Sequence, residues 1–113
     1  PSWVQEQVFY QIFPDRFSAS KSESDIRHAY AQYDSASIVK PWGDAVGSHQ
    51  NTGAREFLGG DLKGVEQKLD YLEQLGVTAL YFNPIFSSPS NHKYDTTDYF
   101  TVDPMFGTND QFA

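Results

Sequence analysis

His92 and Tyr94 stand two residues apart, next to Asn91 and Asp95, in a polar loop that follows an apolar run. Those side chains suit a neutral, hydroxyl-rich ligand. A pyranose ring has an apolar C–H face that an aromatic ring covers, and a neighbouring imidazole can hydrogen-bond its hydroxyls. Each residue also has a purely structural reading. Tyr94 can be a core aromatic beneath the loop, and His92 can be a group that ties the loop to itself.

The elements that position this loop are legible around it. Val77 to Phe82 is a buried strand running into Asn83-Pro84, where Pro84 ends the ladder and Asn83 bonds the loop backbone. Ligand-binding groups beyond the carboxyl end of such a strand are the usual arrangement of parallel α/β folds. Ahead of the strand, Leu62, Val65, Leu69, Leu72 and Leu75 form one apolar stripe at helical spacing. Asp61 caps the start of that helix and Gly76 ends it. Earlier still, Val8 to Phe13 is a short apolar and aromatic strand closed by Pro14. The order strand, loop, helix, strand predicts an α/β unit with a right-handed crossover. Tyr10 and Gln11 start at the same rim as the loop and are candidates to line a pocket.

From Ser18 to about Glu56 no period persists, and Ser, Asp, Gly, Gln and Asn predominate around Tyr30, Tyr33 and Trp42. A loop of that length inside a domain is uncommon and usually functional. Trp42 there either stacks on an outer sugar or anchors its own loop.

Composition narrows the partners. A formal net charge of −7 argues against nucleic acid and against anionic lipid, both of which are recognised by Lys and Arg. The absence of cysteine rules out disulfides and thiolate metal sites. Apolar runs are only strand-length, so no membrane span is expected. With 39% hydrophobic residues and a mean hydropathy of −0.55, the chain is globular but poor in core.

Three motifs, in order, carry a resemblance: Phe9-Tyr10-Gln11-Ile12-Phe13-Pro14-Asp15-Arg16-Phe17, then Gly59-Gly60-Asp61-Leu62-Lys63-Gly64-Val65, then the stretch from Gly76 through Asn83-Pro84 to His92-Lys93-Tyr94-Asp95 and Asp98-Tyr99. Together the sequence resembles the α-amylase family of glycoside hydrolases, in its maltodextrin glucosidase, neopullulanase and cyclomaltodextrinase group. The resemblance runs from about Trp3 to Phe106 and is weakest between Ser18 and Arg55. It implies a (β/α)8 TIM barrel, which needs roughly 250 residues. With 113 residues, the chain is expected to be an N-terminal fragment, 1–113, holding about two strands, one full helix and long rim loops. It opens on Pro1 and stops just after Thr108-Asn109-Asp110, which has the look of a capped helix start.

The resemblance implies a retaining hydrolase of α-glucans in which Tyr94 lies under the glucosyl unit at the cleavage point. His92 would contact that unit, and Asn91 would place a polar group against a terminal sugar. It supplies no match for the catalytic carboxylates, so Asp61, Asp95, Asp98 and Asp103 receive no such role and the isolated segment is expected to be inactive. Asp98-Tyr99 is expected to lock the loop against the barrel. Some relatives bind calcium through an Asn and Asp cluster together with a Gly-Gly-Asp segment. Here Lys21 stands in the matching stretch, so no cofactor is expected and Asp61 is read as a helix cap. The expected partner is an α-glucan oligosaccharide, the expected location cytoplasmic, and unpaired strand edges predict self-association of the segment. The alternative is a non-catalytic carbohydrate-binding module or a scaffold; such modules are usually β-sandwiches, which the helix between two strands disfavours.

Overall fold

Two parallel strands, β1 (Phe9–Ile12) and β4 (Ala79–Phe82), make the central sheet of the computed structural model, which describes residues 1–113. Phe9 pairs with Ala79 and Ile12 with Phe82, and the Asn83 N–H extends the ladder to the Ile12 carbonyl at 2.9 Å. Because side chains alternate, this register sorts the sheet into two faces. Tyr10, Ile12, Leu80 and Phe82 lie on one face, packed with Val65 and Leu72 of the covering helices. Phe9, Gln11, Ala79 and Tyr81 lie on the other, where Phe9 is 44% and Tyr81 58% exposed. A helix-covered face opposite an open apolar face is the geometry of strands in a (β/α)8 barrel, whose second face is its interior. Tyr10 therefore points away from any pocket and meets Phe17 edge-on at 6.1 Å, contrary to its expected place on the rim. Gln11 is on the interior face, and its Nε2 donates to Asn83 Oδ1 at 2.7 Å. Asn83 thus bonds across the sheet rather than to the loop backbone.

The apolar stripe predicted as one helix folds as two, α3 (Leu62–Glu66) and α4 (Leu69–Gln74). At the break, the Lys68 N–H reaches only the Val65 carbonyl, a tightened turn with no Gly or Pro to announce it. Val65 and Leu72 are buried with Ile12, while Leu69 and Leu75 remain exposed. Gly76, at φ +91°, ends α4 in a Schellman motif: its N–H bonds Glu73 O, and the Val77 N–H bonds Leu72 O.

Residues 18–56, read as irregular, contain the longest helix of the chain, α2 (Glu23–Tyr33). The Ser22 hydroxyl caps it by accepting from the Asp25 N–H, and only Ile26 and Tyr30 are buried. Two apolar positions four residues apart are too few for a periodicity to be seen. Ile26 and Tyr30 pack on Phe57, the last residue of β3 (Glu56–Phe57), which pairs in parallel with β2 (Ile38–Val39). Two of the three two-stranded sheets are parallel and the third is antiparallel; the chain is an α/β unit with no β-sandwich in it. No helix is long and apolar enough to cross a membrane.

The first and second motifs interlock. Within α1 (Pro14–Phe17), the buried Asp15 carboxylate accepts from the N–H groups of Leu58 and Gly59, both at 3.0 Å, and the Gly60 N–H bonds Asp15 O. Gly60 has no substitute, because a Cβ there would collide with the Pro14 carbonyl. Asp61 accepts from Gly64 N at 2.7 Å, Ser20 Oγ at 2.6 Å and Ser20 N at 3.2 Å. It is the N-cap of α3, as expected.

The excursion is tied down by Glu56. Its carboxylate accepts from the Thr52 hydroxyl and the Gly47 N–H and pairs with Lys40 at 3.2 Å. Hydrogen bonds from Thr52 and then Gly47 hold its pKa down to about 2. A carboxyl depressed below its unfolded value of about 4.3 stabilises the fold fully above that value and loses the contribution as pH falls through its folded value. Glu56→Gln should accordingly flatten the loss of stability between about pH 4.5 and 2, measured by denaturant unfolding at stepped pH; an unaltered acid slope would contradict it.

Candidate functional site

The loop expected to carry the chemistry is the link of an antiparallel pair, β5 (Phe86–Ser87) and β6 (Asp98–Val102). It leaves the carboxyl end of β4 and is stitched at its base by Thr97 N to Ser87 O at 2.8 Å and Asp103 N to Ile85 O at 2.9 Å. The strands themselves rest on a core of Leu62, Ile85, Val102 and Phe106.

Lys93 governs the shape of the loop. It is the one non-glycine residue with positive φ, at +62°, a backbone state that costs an L-residue on the order of 1 kcal/mol. Its side chain runs into the interior with 0% exposure, and its ammonium donates to Asp103 Oδ2 at 2.6 Å and Ser88 O at 2.8 Å. The rings of Phe106 and Phe57 lie 5.0 and 5.7 Å from Nζ. Asp103, also 0% exposed, accepts in addition from Ser88 N, Met105 N and the Tyr33 hydroxyl. Burial pulls the Lys93 pKa below its ordinary value, and the Asp103 charge offsets part of that. Burial, and then Asp103, push Tyr33 up to about 12.

With Lys93 turned inward, its two neighbours face out. Tyr94 is 63% exposed, and its ring lies 5.9 Å from that of the half-buried His92. The Tyr94 N–H donates to His92 Nδ1 at 3.1 Å, which assigns Nδ1 as the acceptor and leaves the ring proton on Nε2. His92 Nε2–H has no partner within the chain and offers a donor beside the exposed Tyr94 face, with the His49 ring 5.5 Å from its own. Asn91 sits inside the loop. It is buried, its Nδ2 donates to Gly53 O at 2.6 Å and Glu56 O at 2.8 Å, and its N–H reaches Ala54 O. The donor expected to meet a sugar is committed to joining the excursion to the platform.

The other expected groups have local duties. Asp98 accepts from Thr101 Oγ1 and the Phe100 N–H, which lower its pKa, and Tyr99 is largely exposed, so the lock on the barrel is Lys93–Asp103 and not Asp98-Tyr99. Burial acts to raise the Asp95 pKa, but hydrogen bonds from Ser88 and Ser90 outweigh it and hold the group below its usual range. Ser90 also lies 3.2 Å from His92 Nδ1. It is nonetheless no activated nucleophile, since its oxygen is buried and its proton faces Asp95. Trp42 is half exposed on the excursion. A recess of about 480 Å³ between α4 and the start of β4 lies at the opposite end of the strand from the loop that links β5 and β6.

The family described as "Alpha amylase, catalytic domain" matches residues 11–113. The chain belongs to this family. It is 46% identical over 112 residues to the intracellular maltogenic amylase of Bacillus subtilis, covering 99% of this chain and 16% of that protein. Neopullulanase 2 of Thermoactinomyces vulgaris is 49% identical over 108 residues, 95% of this chain and 16% of the relative. Among solved structures, the type III pullulan hydrolase from Thermococcus kodakarensis superposes with a TM-score of 0.80 at 40% identity, over 97% of this chain and 20% of its own. The chain therefore spans about a sixth or less of the length of the curated relatives it matches. Within the α-amylase fold it supplies two barrel strands, the crossover between them and the loop that links β5 and β6.

Lys93, Asp103 and Glu56, which carry most of the polar architecture, were not singled out by sequence pattern. A lysine in the middle of a Ser- and Asn-rich loop and an Asp-Pro directly after a strand are the only signals available. Asn91→Ala should leave the Gly53 and Glu56 carbonyls without a buried donor and destabilise the fold by about 1–3 kcal/mol. Thermal and urea unfolding check this, and an unchanged midpoint would show that the latch carries no load.

Proposed function

We propose that this chain is the N-terminal portion of the catalytic barrel of a retaining glycoside hydrolase acting on α-glucans of the maltodextrin or cyclodextrin type. The observation that carries the reading is the exposed Tyr94 ring beside an imidazole whose Nδ1 accepts from the Tyr94 N–H and whose Nε2 has no partner within the chain. The ring covers the C–H face of the glucosyl unit, and His92 donates to one of its hydroxyls. Asn91 serves by holding the loop. The printed activities of the relatives, maltogenic amylase and neopullulanase, are in keeping with such a substrate. Similarity to an intracellular maltogenic amylase favours a cytoplasmic location.

Retaining hydrolysis uses two carboxyl groups about 5 Å apart, one attacking the anomeric carbon and one protonating the leaving oxygen. Asp61, Asp95, Asp98 and Asp103 are all engaged by neighbouring donors, which supports their having other roles. The reacting pair then belongs to barrel strands outside these residues. On this reading the 113-residue chain alone binds weakly, turns nothing over, and self-associates through its open sheet. A reducing-sugar assay and sedimentation on that chain test both statements: turnover of maltodextrin, or a compact monomer with a sharp unfolding transition, would refute them.

The residue-level test is made in the intact protein. Tyr94→Ala should lower kcat/KM for maltodextrin by about 10-fold or more, through lost stacking and a loosened substrate. Tyr94→Phe, which keeps the ring, should be milder. If Tyr94→Ala lowers the melting temperature while activity per folded molecule stays unchanged, the tyrosine is structural and the platform reading fails.

A further inference from the structure

We propose that Lys93 and Asp103 are positioning residues of the glucosyl platform: their buried ion pair sets where Tyr94 and His92 stand relative to the substrate, beyond holding the protein folded. This rests on the platform reading above.

The geometry points there in three ways. Lys93 lies between the two platform residues, and its left-handed backbone sends its own side chain inward and its neighbours outward. Its ammonium is held by Ser88 O, where the β5–β6 link begins, and by Asp103, just past the end of β6, so the loop is pinned to the base of its strand pair from inside. Asp103 in turn receives Tyr33 from α2, which couples the loop to the excursion. Lys93 touches no solvent, so its charge serves no ligand directly. Surface loops of this length are normally among the mobile parts of a fold. Here the reaction requires ring placement to within a fraction of an ångström.

A purely structural pair and a positioning pair predict different results for a variant that removes both charges together. Lys93→Met with Asp103→Asn keeps volume and one acceptor oxygen, which can serve Ser88 N and the Tyr33 hydroxyl while Met105 N loses its side-chain partner, and it leaves no buried ion; removing a buried pair as a whole is often tolerated in other proteins without loss of stability. In the intact protein the double variant should keep a melting temperature near the parent's and lose about 10- to 100-fold in kcat, with a smaller change in KM. The His92 imidazole nitrogen shifts, which should report a single Nε2–H tautomer in the parent, should average in the variant. A folded double variant with parental kcat and parental His92 shifts would overturn the proposal. Should that variant not fold, Tyr33→Phe decides: it removes one donor to Asp103, and a fall in kcat of about 2- to 5-fold at unchanged melting temperature supports the proposal, whereas parental kcat overturns it. Tyr94→Ala run in parallel separates the two levels. No effect of Tyr94→Ala removes the platform itself, whereas a strong effect of Tyr94→Ala with none from the ion-pair variants removes only the positioning role.

Discussion

A lysine ammonium with no access to water must be satisfied entirely by protein, and the platform loop is organised around that requirement. Leaving such a charge without its partner costs about 3–5 kcal/mol, a large part of the stability of a small domain. Lys93 therefore confines Asp103, and Asp103 confines Ser88, Met105 and Tyr33. Phe57 and Phe106 close the site against water. One interaction thus joins α2, β3, the platform loop and the turn after β6. Exposed pairs such as Glu23–Arg27 and Lys63–Glu66 contribute only about 0.3–0.5 kcal/mol each, too little to order a loop.

The barrel portion works by a separate device. Asp15 and the glycines at 59 and 60 lock α1 against the start of α3, so the crossover between the two strands is fixed at its amino end. A Schellman turn at Gly76 fixes its other end. The sheet can then present Asn83-Pro84, and the loop beyond, at a defined height above the open interior face. Phe9 and Tyr81 stand exposed on that face.

Much of this was legible in the chain. Two strands, the apolar stripe between them, the Asp61 cap, the Gly76 stop and the Thr108 cap all have local causes, and the structure has them. The helix break at residues 67–68 has none, being a product of how Val65 and Leu72 both reach Ile12. Helix α2 was missed because its buried face is two side chains long. At the site, residue type and neighbourhood mark Tyr94 and His92 as candidates, but the exposure of the Tyr94 ring and the acceptor role of His92 Nδ1 come from the turn at Lys93. The inward turn of Asn91 does not, since its partners are the carbonyls of Gly53 and Glu56, 38 and 35 residues away. Lys93 was invisible for the same reason: burial of a lysine depends on a partner that sequence spacing does not reveal. Tyr10 was misjudged by one residue of strand register, enough to exchange the interior face for the helix face.

The central claim is that residues 88–95 form a rigid, protein-anchored floor for a glucosyl unit. A structure of the intact protein with a bound maltooligosaccharide tests it most directly. The account predicts a sugar ring lying over Tyr94 with a hydroxyl within hydrogen-bond distance of His92 Nε2, the loop backbone unmoved from its unliganded position and Lys93 still on Asp103. Sugar bound elsewhere with Tyr94 covered by other parts of the protein, or a loop that rearranges to admit the ligand, would contradict it.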